Sequence, residues 1–204
     1  MIKAVYFGKI APGKTTYHRG IIMLYIMRHG KTDWNLKHKL QGKTDIPLND
    51  MGIDMAKEAG EKYKDVHFDV CYCSPLVRAR ETANLVLEGR EVPIIIDERL
   101  AEMGFGIYEG IENVFDKPEC PVRELFFNPA GYKAVGGAES LEDLIARTKN
   151  FLEEIAFPLV NEGKDVLIVV HGAMNSAIIG IVRNTPIEKF WAEGIENCRL
   201  IKLL

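Results

Sequence analysis

The sequence of 204 residues lacks any long hydrophobic run. Its longest unbroken apolar stretch, Gly20 to Met27, has eight residues, whereas a membrane-spanning helix needs about 20. Hydrophobic residues make up 47% of the chain and charged residues 27%, which is typical of a packed globular domain and not of a disordered or fibrous chain. We therefore expect a soluble protein that does not enter a membrane.

The chain also lacks an excess of positive charge. Its net charge is −3, which argues against a dedicated nucleic-acid-binding protein. Residues 1–32 hold six Lys or Arg and no acidic residue, so the other 172 residues hold 20 basic and 29 acidic side chains. A chain with this overall negative charge can still bind an anion where arginines lie close together at a turn, because anion binding depends on the local arrangement of charges.

Cysteine is scarce as well. The four cysteines, at positions 71, 73, 120 and 198, are too few for a disulfide framework in a chain of this length. No second Cys or His pair stands at zinc-finger spacing, and no signal-peptide pattern is present. We predict buried, reduced thiols and a cytoplasmic location.

Short apolar runs alternate with longer segments of helical periodicity. The strand-like runs are residues 24–27, 69–73, 94–96 and 165–170, with residues 199–204 as a closing edge strand. The run 165–170 is apolar on both faces, which is typical of a strand in the middle of a parallel sheet covered by helices. The alternation predicts a single α/β domain, a three-layer αβα sandwich with a mostly parallel central sheet.

Helix boundaries are predicted from capping residues and prolines. Asn49 and Ser140 stand at N-cap positions, and Ser74 is predicted to cap a helix that has Pro75 at its first position. The helix that Ser140 starts should end at Pro158, and residues 172–183 should form the helix after the central strand.

Histidine and arginine stand where the predicted parallel strands end, and that edge is where open sheets bind ligands. The residues are Arg28, His29 and Gly30 after the first strand, Arg78 one helical turn past the second, and His171 and Gly172 after the central strand. A glycine after each imidazole lets the backbone turn and keeps a side chain out of the site. Two His and two Arg at one edge form a cationic pocket suited to a phosphate dianion. A zinc site is the rival use of paired histidines, but the neighbouring arginines would repel a cation.

Five segments resemble the histidine phosphatase superfamily, which includes the cofactor-dependent phosphoglycerate mutases. They are residues 28–35 (RHGKTDWN), 74–83 (SPLVRARETA), 100–110 (LAEMGFGIYEG), 136–140 (GGAES) and 169–172 (VVHG). Arg-His-Gly alone is a weak signal, whereas the five segments together are specific in order and spacing. The resemblance covers residues 24–204.

This resemblance implies a role for each site residue. His29 would be the nucleophile that forms a phosphohistidine, and Glu102 would protonate the leaving oxygen and then activate water. The phosphoryl oxygens would be held by Arg28, Asn35, Arg78, His171 and Gly172. Only the resemblance selects Glu102 among 29 acidic residues. Glu109 is the fallback, for which a structural role is favoured. The family uses no metal ion, and we expect no cofactor.

Three residues depart from the family pattern and leave substrate preference open. Lys31 stands where the family often has Glu, and Ala173 and Ser176 stand where it often has Gly and Arg. Residues 104–138 are predicted to form a lid over the pocket. Its aromatic residues, which would contact substrate or pack the lid onto the domain, are Phe105, Tyr108, Phe115, Phe126, Phe127 and Tyr132.

A competing motif lies near the N-terminus. Residues Gly8 to Thr15 fit the phosphate-binding loop pattern G-x-x-x-x-G-K-[ST] after a possible strand, Ile2 to Phe7. The helix that this loop requires is missing, because few residues separate Thr15 from the next apolar run and Gly20 interrupts them. We interpret the match as chance and residues 1–22 as an extension outside the domain formed by residues 23–204.

The preferred interpretation is a metal-independent phosphomonoesterase that hydrolyses small phosphorylated metabolites. Phosphoglycerate mutase is the first alternative, and alpha-ribazole phosphatase is a specific candidate within the phosphatase branch. A non-catalytic phosphate-binding module is disfavoured, because mere binding does not need an acid. A nucleotide hydrolase that uses the N-terminal loop is the remaining alternative. The sequence leaves a homodimer open.

Overall fold

The computed structural model describes residues 23–204. The predicted strand Ile2 to Phe7, the loop pattern Gly8 to Thr15 and the rest of the N-terminal extension lie outside the described residues. The strands are β1 (Leu24–Arg28), β2 (Val70–Cys73), β3 (Ile94–Ile96), β4 (Val166–Val170) and β5 (Leu200–Lys202). They form one sheet in the order β3-β2-β4-β1-β5. β1 to β4 run parallel and β5 is antiparallel to β1, so the mostly parallel sheet is confirmed.

The α-helical segments are α1 (Asp33–Leu36), α2 (Asp50–Lys62), α3 (Val77–Val86), α4 (Glu124–Phe127), α5 (Leu141–Phe151), α6 (Phe157–Asn161) and α7 (Gly172–Arg183). On one face of the sheet, α2 and α3 pack over Met27, Cys71 and Cys73. On the other face, α5 and α7 pack over Leu24 and Ile26. Every residue of β4 is buried, since the central strand is covered from both sides. The predicted three-layer sandwich is therefore confirmed.

The pairing of the strands determines where the predicted site residues lie. Leu24 pairs with Val166 and Arg28 with Val170, so β1 and β4 end side by side. Cys73 pairs with Val169 on the other side of β4. The residues that follow these three strands therefore meet at the middle of one sheet edge.

Side-chain caps mark the starts of α2 and α5. Asn49 accepts a hydrogen bond from the Gly52 amide, and Ser140 accepts one from the Asp143 amide, as predicted. The prediction for Ser74 and Pro75 is wrong, because α3 begins at Val77 with Leu76 as its N-cap. The Asp45 carboxylate accepts from the Val77 amide at 2.7 Å, and the Ser74 hydroxyl accepts from the Leu76 amide, one residue before the helix.

Pro158 does not end the helix that Ser140 starts. A π-helical turn, Leu152–Ala156, joins α5 to α6, and the helical path continues to Asn161. Pro158 therefore lies within a continuous helical path, directly after the π-helical turn, although a proline in that position cannot donate a backbone hydrogen bond.

The remaining sequence predictions concern thiols, the 104–138 segment and membrane spans. All four cysteines are free and buried, as predicted.

In the segment 104–138, Phe105 and Tyr132 are buried in the core and Phe126 stacks on Trp191, whereas Phe115 and Phe127 are exposed. Across residues 23–204 there is no helix with the length and hydrophobicity of a membrane span.

Candidate active site

His29 directly follows β1, and hydrogen bonds fix its ring. Its Nδ1 lies 2.6 Å from the Gly30 carbonyl oxygen. Because a carbonyl only accepts, Nδ1 carries the hydrogen and Nε2 has the free lone pair. The His29 amide donates to Val170, and its carbonyl accepts from Asn197 Nδ2 at 2.7 Å. Burial, followed by the charges of Arg78 and Arg28, lowers the pKa of His29 well below its ordinary value, so the imidazole is neutral near pH 7.

His171 follows β4 and faces His29. The two ring centroids lie 5.1 Å apart at an angle of 56°. His171 Nε2 pairs with the Ser74 hydroxyl at 2.6 Å, and that hydroxyl also accepts from the Leu76 amide. Within residues 23–204, the buried Nδ1 of His171 has no hydrogen-bond partner. Burial and then the charge of Arg78 lower the pKa of His171 well below its ordinary value.

Two guanidinium groups lie beside the histidines, that of the buried Arg78 and that of the partly buried Arg28. Arg28 donates to the Ile195 carbonyl at 3.2 Å. Arg78 is fully buried and donates to the carbonyls of Thr44 and Gly42 at 2.9 and 2.7 Å. Among the described residues neither forms a salt bridge, and each has an Nε without a partner. Burial lowers the pKa of both arginines, and the charge of Glu102 acts against that shift. Two guanidinium groups close enough to act on each other are suited to bind an anion such as phosphate.

Glu102 lies at the N-terminus of α7. Its Oε1 accepts from the amides of Met103 and Met174 at 2.9 and 3.1 Å, and its Oε2 accepts from Ala173 at 3.2 Å. A Cβ added at Gly172 would lie 3.6 Å from Glu102 Oε2 and 3.8 Å from Arg28 Cζ. Glu102 Oε2 and the Arg28 guanidinium therefore both lie at ordinary van der Waals distance from the point where a side chain at residue 172 would begin.

Asn35 caps α1 with its side-chain oxygen. Its Oδ1 accepts from the amide and the hydroxyl of Thr32. The side-chain amide of Asn35 makes no hydrogen bond within residues 23–204. This NH₂ group is therefore available as a donor.

Several residues support the site, and sequence reasoning missed three of them. The Glu109 carboxylate accepts from the amides of Lys43, Thr44 and Phe105 and from the Thr44 hydroxyl, so it fixes the loop whose carbonyls hold Arg78. Ser74, Asn197 and Arg147 support other site residues. For these three, no sequence signal was available, because each partner is at least 45 residues away.

The chain is similar to known proteins in sequence and in fold. A family model described as the histidine phosphatase superfamily (branch 1) matches residues 24–204. The uncharacterized phosphatase PhoE of Bacillus subtilis (strain 168) is 37% identical over 156 residues, which cover 76% of this chain and 74% of that protein. A 2,3-bisphosphoglycerate-dependent phosphoglycerate mutase of Gloeobacter violaceus is 33% identical, with 86% and 82% of the chains covered. The solved structure of Bacillus stearothermophilus YhfR is similar with a TM-score of 0.80 and 30% identity, and covers 88% of this chain and 89% of its own.

Proposed function

The chain belongs to the histidine phosphatase superfamily (branch 1) and is a phosphomonoesterase, and we propose that it hydrolyses small phosphorylated metabolites through a phosphohistidine on His29. One observation supports this proposal most. Of the five buried side-chain polar atoms without a partner in residues 23–204, three are Arg28 Nε, Arg78 Nε and His171 Nδ1. Buried polar atoms are rarely left unpaired, and a bound phosphoryl group would pair these three.

In the first step, Nε2 of His29 attacks phosphorus. A P–N bond forms and the P–O bond to the alcohol breaks, and its electron pair leaves with the alcohol oxygen. That oxygen takes the proton of the Glu102 carboxyl group and departs as the free alcohol. The guanidinium groups of Arg28 and Arg78 stabilise the charge that the equatorial oxygens carry in the transition state.

In the second step, water attacks the phosphohistidine. Water gives a proton to the Glu102 carboxylate while its oxygen bonds to phosphorus, and the P–N bond breaks with its electrons returning to Nε2. Hydrogen phosphate leaves, His29 is neutral again and Glu102 again carries its proton. The positive charge that this chemistry needs comes from the two guanidinium groups, so the proposed mechanism requires no metal ion.

His171 and Asn35 would complete the phosphoryl site. The Ser74 hydroxyl accepts from the Leu76 amide, and its own hydrogen can therefore go to His171 Nε2. In that tautomer Nδ1 carries a hydrogen and donates to a phosphoryl oxygen. The unpaired NH₂ of Asn35 would add one more donor, and the missing side chain of Gly172 would leave space for the group.

Residues 104–138 are proposed to cover the substrate, and residues 23–204 to form the single catalytic domain. The segment passes close to the site, because Glu109 fixes the loop that holds Arg78. Exposed apolar side chains in it, such as Ile107 with 77% of its surface exposed, are available to a substrate. A phosphoglycerate mutase is the second candidate, since one of the relatives described above carries that name.

Replacing Glu102 by Gln tests the proposed acid. Glu102→Gln should lower kcat/KM for an alkyl phosphate by about 10²- to 10⁴-fold, because an alkoxide leaves poorly without a proton donor. It should affect p-nitrophenyl phosphate far less, since nitrophenolate needs little protonation. Glu109→Gln is the matched control. It disturbs the loop that holds Arg78 and should slow both substrates by similar factors.

The comparison also has a clear opposite outcome. If Glu102→Gln slows both esters equally while Glu109→Gln selects against the alkyl ester, then Glu109 is the acid and our assignment is wrong. Circular dichroism of both variants shows that the compared proteins are folded.

A further inference from the structure

The guanidinium group of Arg147, a residue of α5, forms hydrogen bonds with the backbone at Glu102 and just before it. Its Nη1 donates to the carbonyls of Arg99 and Ala101 at 2.6 and 2.7 Å, and its Nη2 donates to the carbonyl of Glu102 itself at 3.1 Å. A single, largely buried guanidinium therefore fixes three carbonyls in a four-residue stretch of chain that ends at the carboxyl-bearing residue.

Glu139 completes the support from the other side. It binds Arg147 in a two-point pair, with Nε–Oε1 and Nη2–Oε2 distances of 2.6 and 3.1 Å. The same Oε2 accepts from the Gly104 amide at 3.0 Å, and the Glu139 amide donates to the Gly104 carbonyl. The pair therefore forms hydrogen bonds with the backbone on both sides of Glu102, at Arg99 and Ala101 before it and at Gly104 after it.

The charges of this pair are consistent with a permanent ion pair. Burial acts to raise the pKa of Glu139, but the hydrogen bonds from Arg147 and Gly104 and the charges of Arg147 and Lys43 lower it below its ordinary value. Glu139 is therefore ionised at neutral pH. A two-point Arg–carboxylate pair fixes orientation as well as distance.

We propose that Arg147 and Glu139 are positioning residues for the proton transfer by Glu102. They set the backbone from which its carboxyl group reaches the N-terminus of α7 and the space beside Gly172 and Arg28. The inference rests on the proposed function of Glu102. A displacement of about 1 Å at a reacting group can cost about 10²-fold in rate, so loss of this pair should impair proton donation specifically.

The test measures how strongly the rate depends on the leaving group. Arg147→Met should lower kcat/KM for an alkyl phosphate about 10- to 100-fold more than for p-nitrophenyl phosphate, in keeping with a misplaced acid. Arg147→Lys keeps the charge but not the fork and should give a smaller shift of the same ratio. Arg90→Met is the matched control, because Arg90 also holds two backbone carbonyls, those of Tyr63 and Val66, away from Glu102. In Arg90→Met, the ratio of kcat/KM for the alkyl phosphate to kcat/KM for p-nitrophenyl phosphate should equal that of the unchanged protein.

A double variant separates positioning from general loss of structure. If Arg147 acts through Glu102, then Glu102→Gln combined with Arg147→Met should shift the ratio no further than Glu102→Gln alone. Equal slowing of both esters in Arg147→Met, or an additive shift in the double variant, would overturn the inference. If Arg147→Met does not fold, Glu139→Gln is measured in its place, with the same expectation and the same contrary result.

The two proposals fail in different ways. An unchanged ratio in Glu102→Gln would overturn the proposed acid, and the inference with it. A shifted ratio in Glu102→Gln together with an unchanged ratio in the folded Arg147 and Glu139 variants would overturn the inference alone.

Discussion

His29 and His171 are fully enclosed imidazoles beside two cationic side chains, and both are held neutral by that surrounding. Burial is the first cause of their lowered pKa, and the charge of Arg78 is the second. A neutral imidazole is the form that attacks phosphorus. The features that would make His29 a nucleophile therefore also link stability to pH.

The unfolding free energy should rise with pH between about 5.5 and 7.5. Both folded pKa values lie below the unfolded value near 6.5, so below that pH the unfolded chain binds more protons. The stability is fully present above the unfolded pKa and is lost as the pH falls toward the folded ones. Each histidine contributes a slope of up to about 1.4 kcal/mol per pH unit.

Urea unfolding at several pH values measures this slope. His29→Gln should remove about half of it, whereas His38→Gln, which removes an exposed imidazole, should leave it unchanged. A slope that does not change in His29→Gln would show that this imidazole is not held neutral by the fold.

At the residue scale, what the sequence reveals depends on the distance along the chain between partners. Arg28, His29, Arg78 and His171 could be found because strand ends and the family pattern both mark them. Glu102 was selected by the resemblance alone, and nothing in the pattern marked Asn197 or Arg147, whose partners lie 168 and 45 residues away. A serine before a proline predicts a helix cap, and the Ser74 hydroxyl does accept from the Leu76 amide. Its second partner, the His171 imidazole, lies 97 residues away along the chain and leaves no local signal.

Among the elements, the contact between the end of β1 and the start of α2 is the tightest around the site. Neither Gly30 nor Gly172 has a positive φ, so neither glycine is needed for a left-handed turn. Gly30 is needed for packing, because a Cβ there would lie 2.6 Å from the carbonyl oxygen of Gly52 in the first turn of α2. The predicted requirement for glycine at position 30 holds, but its physical reason is close approach.

Gly30→Ala should therefore destabilise the protein. The added methyl group pushes α2 away from the end of β1, and overpacking of this kind costs about 1–3 kcal/mol. Gly180→Ala in α7 is the control, because a Cβ there meets nothing within 4 Å, and alanine should stabilise that helix by up to about 1 kcal/mol. Equilibrium unfolding in urea gives both values. An unchanged stability of Gly30→Ala would mean that this contact is not tight.

Elements were predicted well where the signal is local. The strands and the caps Asn49 and Ser140 follow from runs and spacings of a few residues. The start of α3 could not be predicted in this way, because it depends on Asp45 from a distant loop. The π-helical turn before Pro158 could not be predicted either, because it depends on how one long helix passes over the sheet.

On the scale of the whole molecule, the family match and the site lie within residues 24–204. The fold class was predictable, because a fully apolar run such as β4 fits only the middle of a covered sheet. The proposed covering of the site by residues 104–138 stays a prediction. This segment has short turns, an irregular path and little periodicity.

A fragment of residues 23–204 should release phosphate from a phosphomonoester as fast as the full chain does. It should do so with or without a metal chelator, because two arginines supply the charge, and with or without 2,3-bisphosphoglycerate. Loss of activity in the fragment would bring back a role for the Gly8 to Thr15 loop, and loss with chelator would bring back a metal. Phosphoryl exchange without free phosphate would identify a mutase.

The central claim is that the phosphoryl group passes through His29, and a chemical quench tests it most directly. The protein is mixed with a radiolabelled phosphomonoester and stopped in strong base within the first turnovers. We expect label on the protein that survives base, is released by acid and is absent in His29→Gln. Normal turnover with no base-stable label on the unchanged protein, or equal labelling of His29→Gln, would contradict the account.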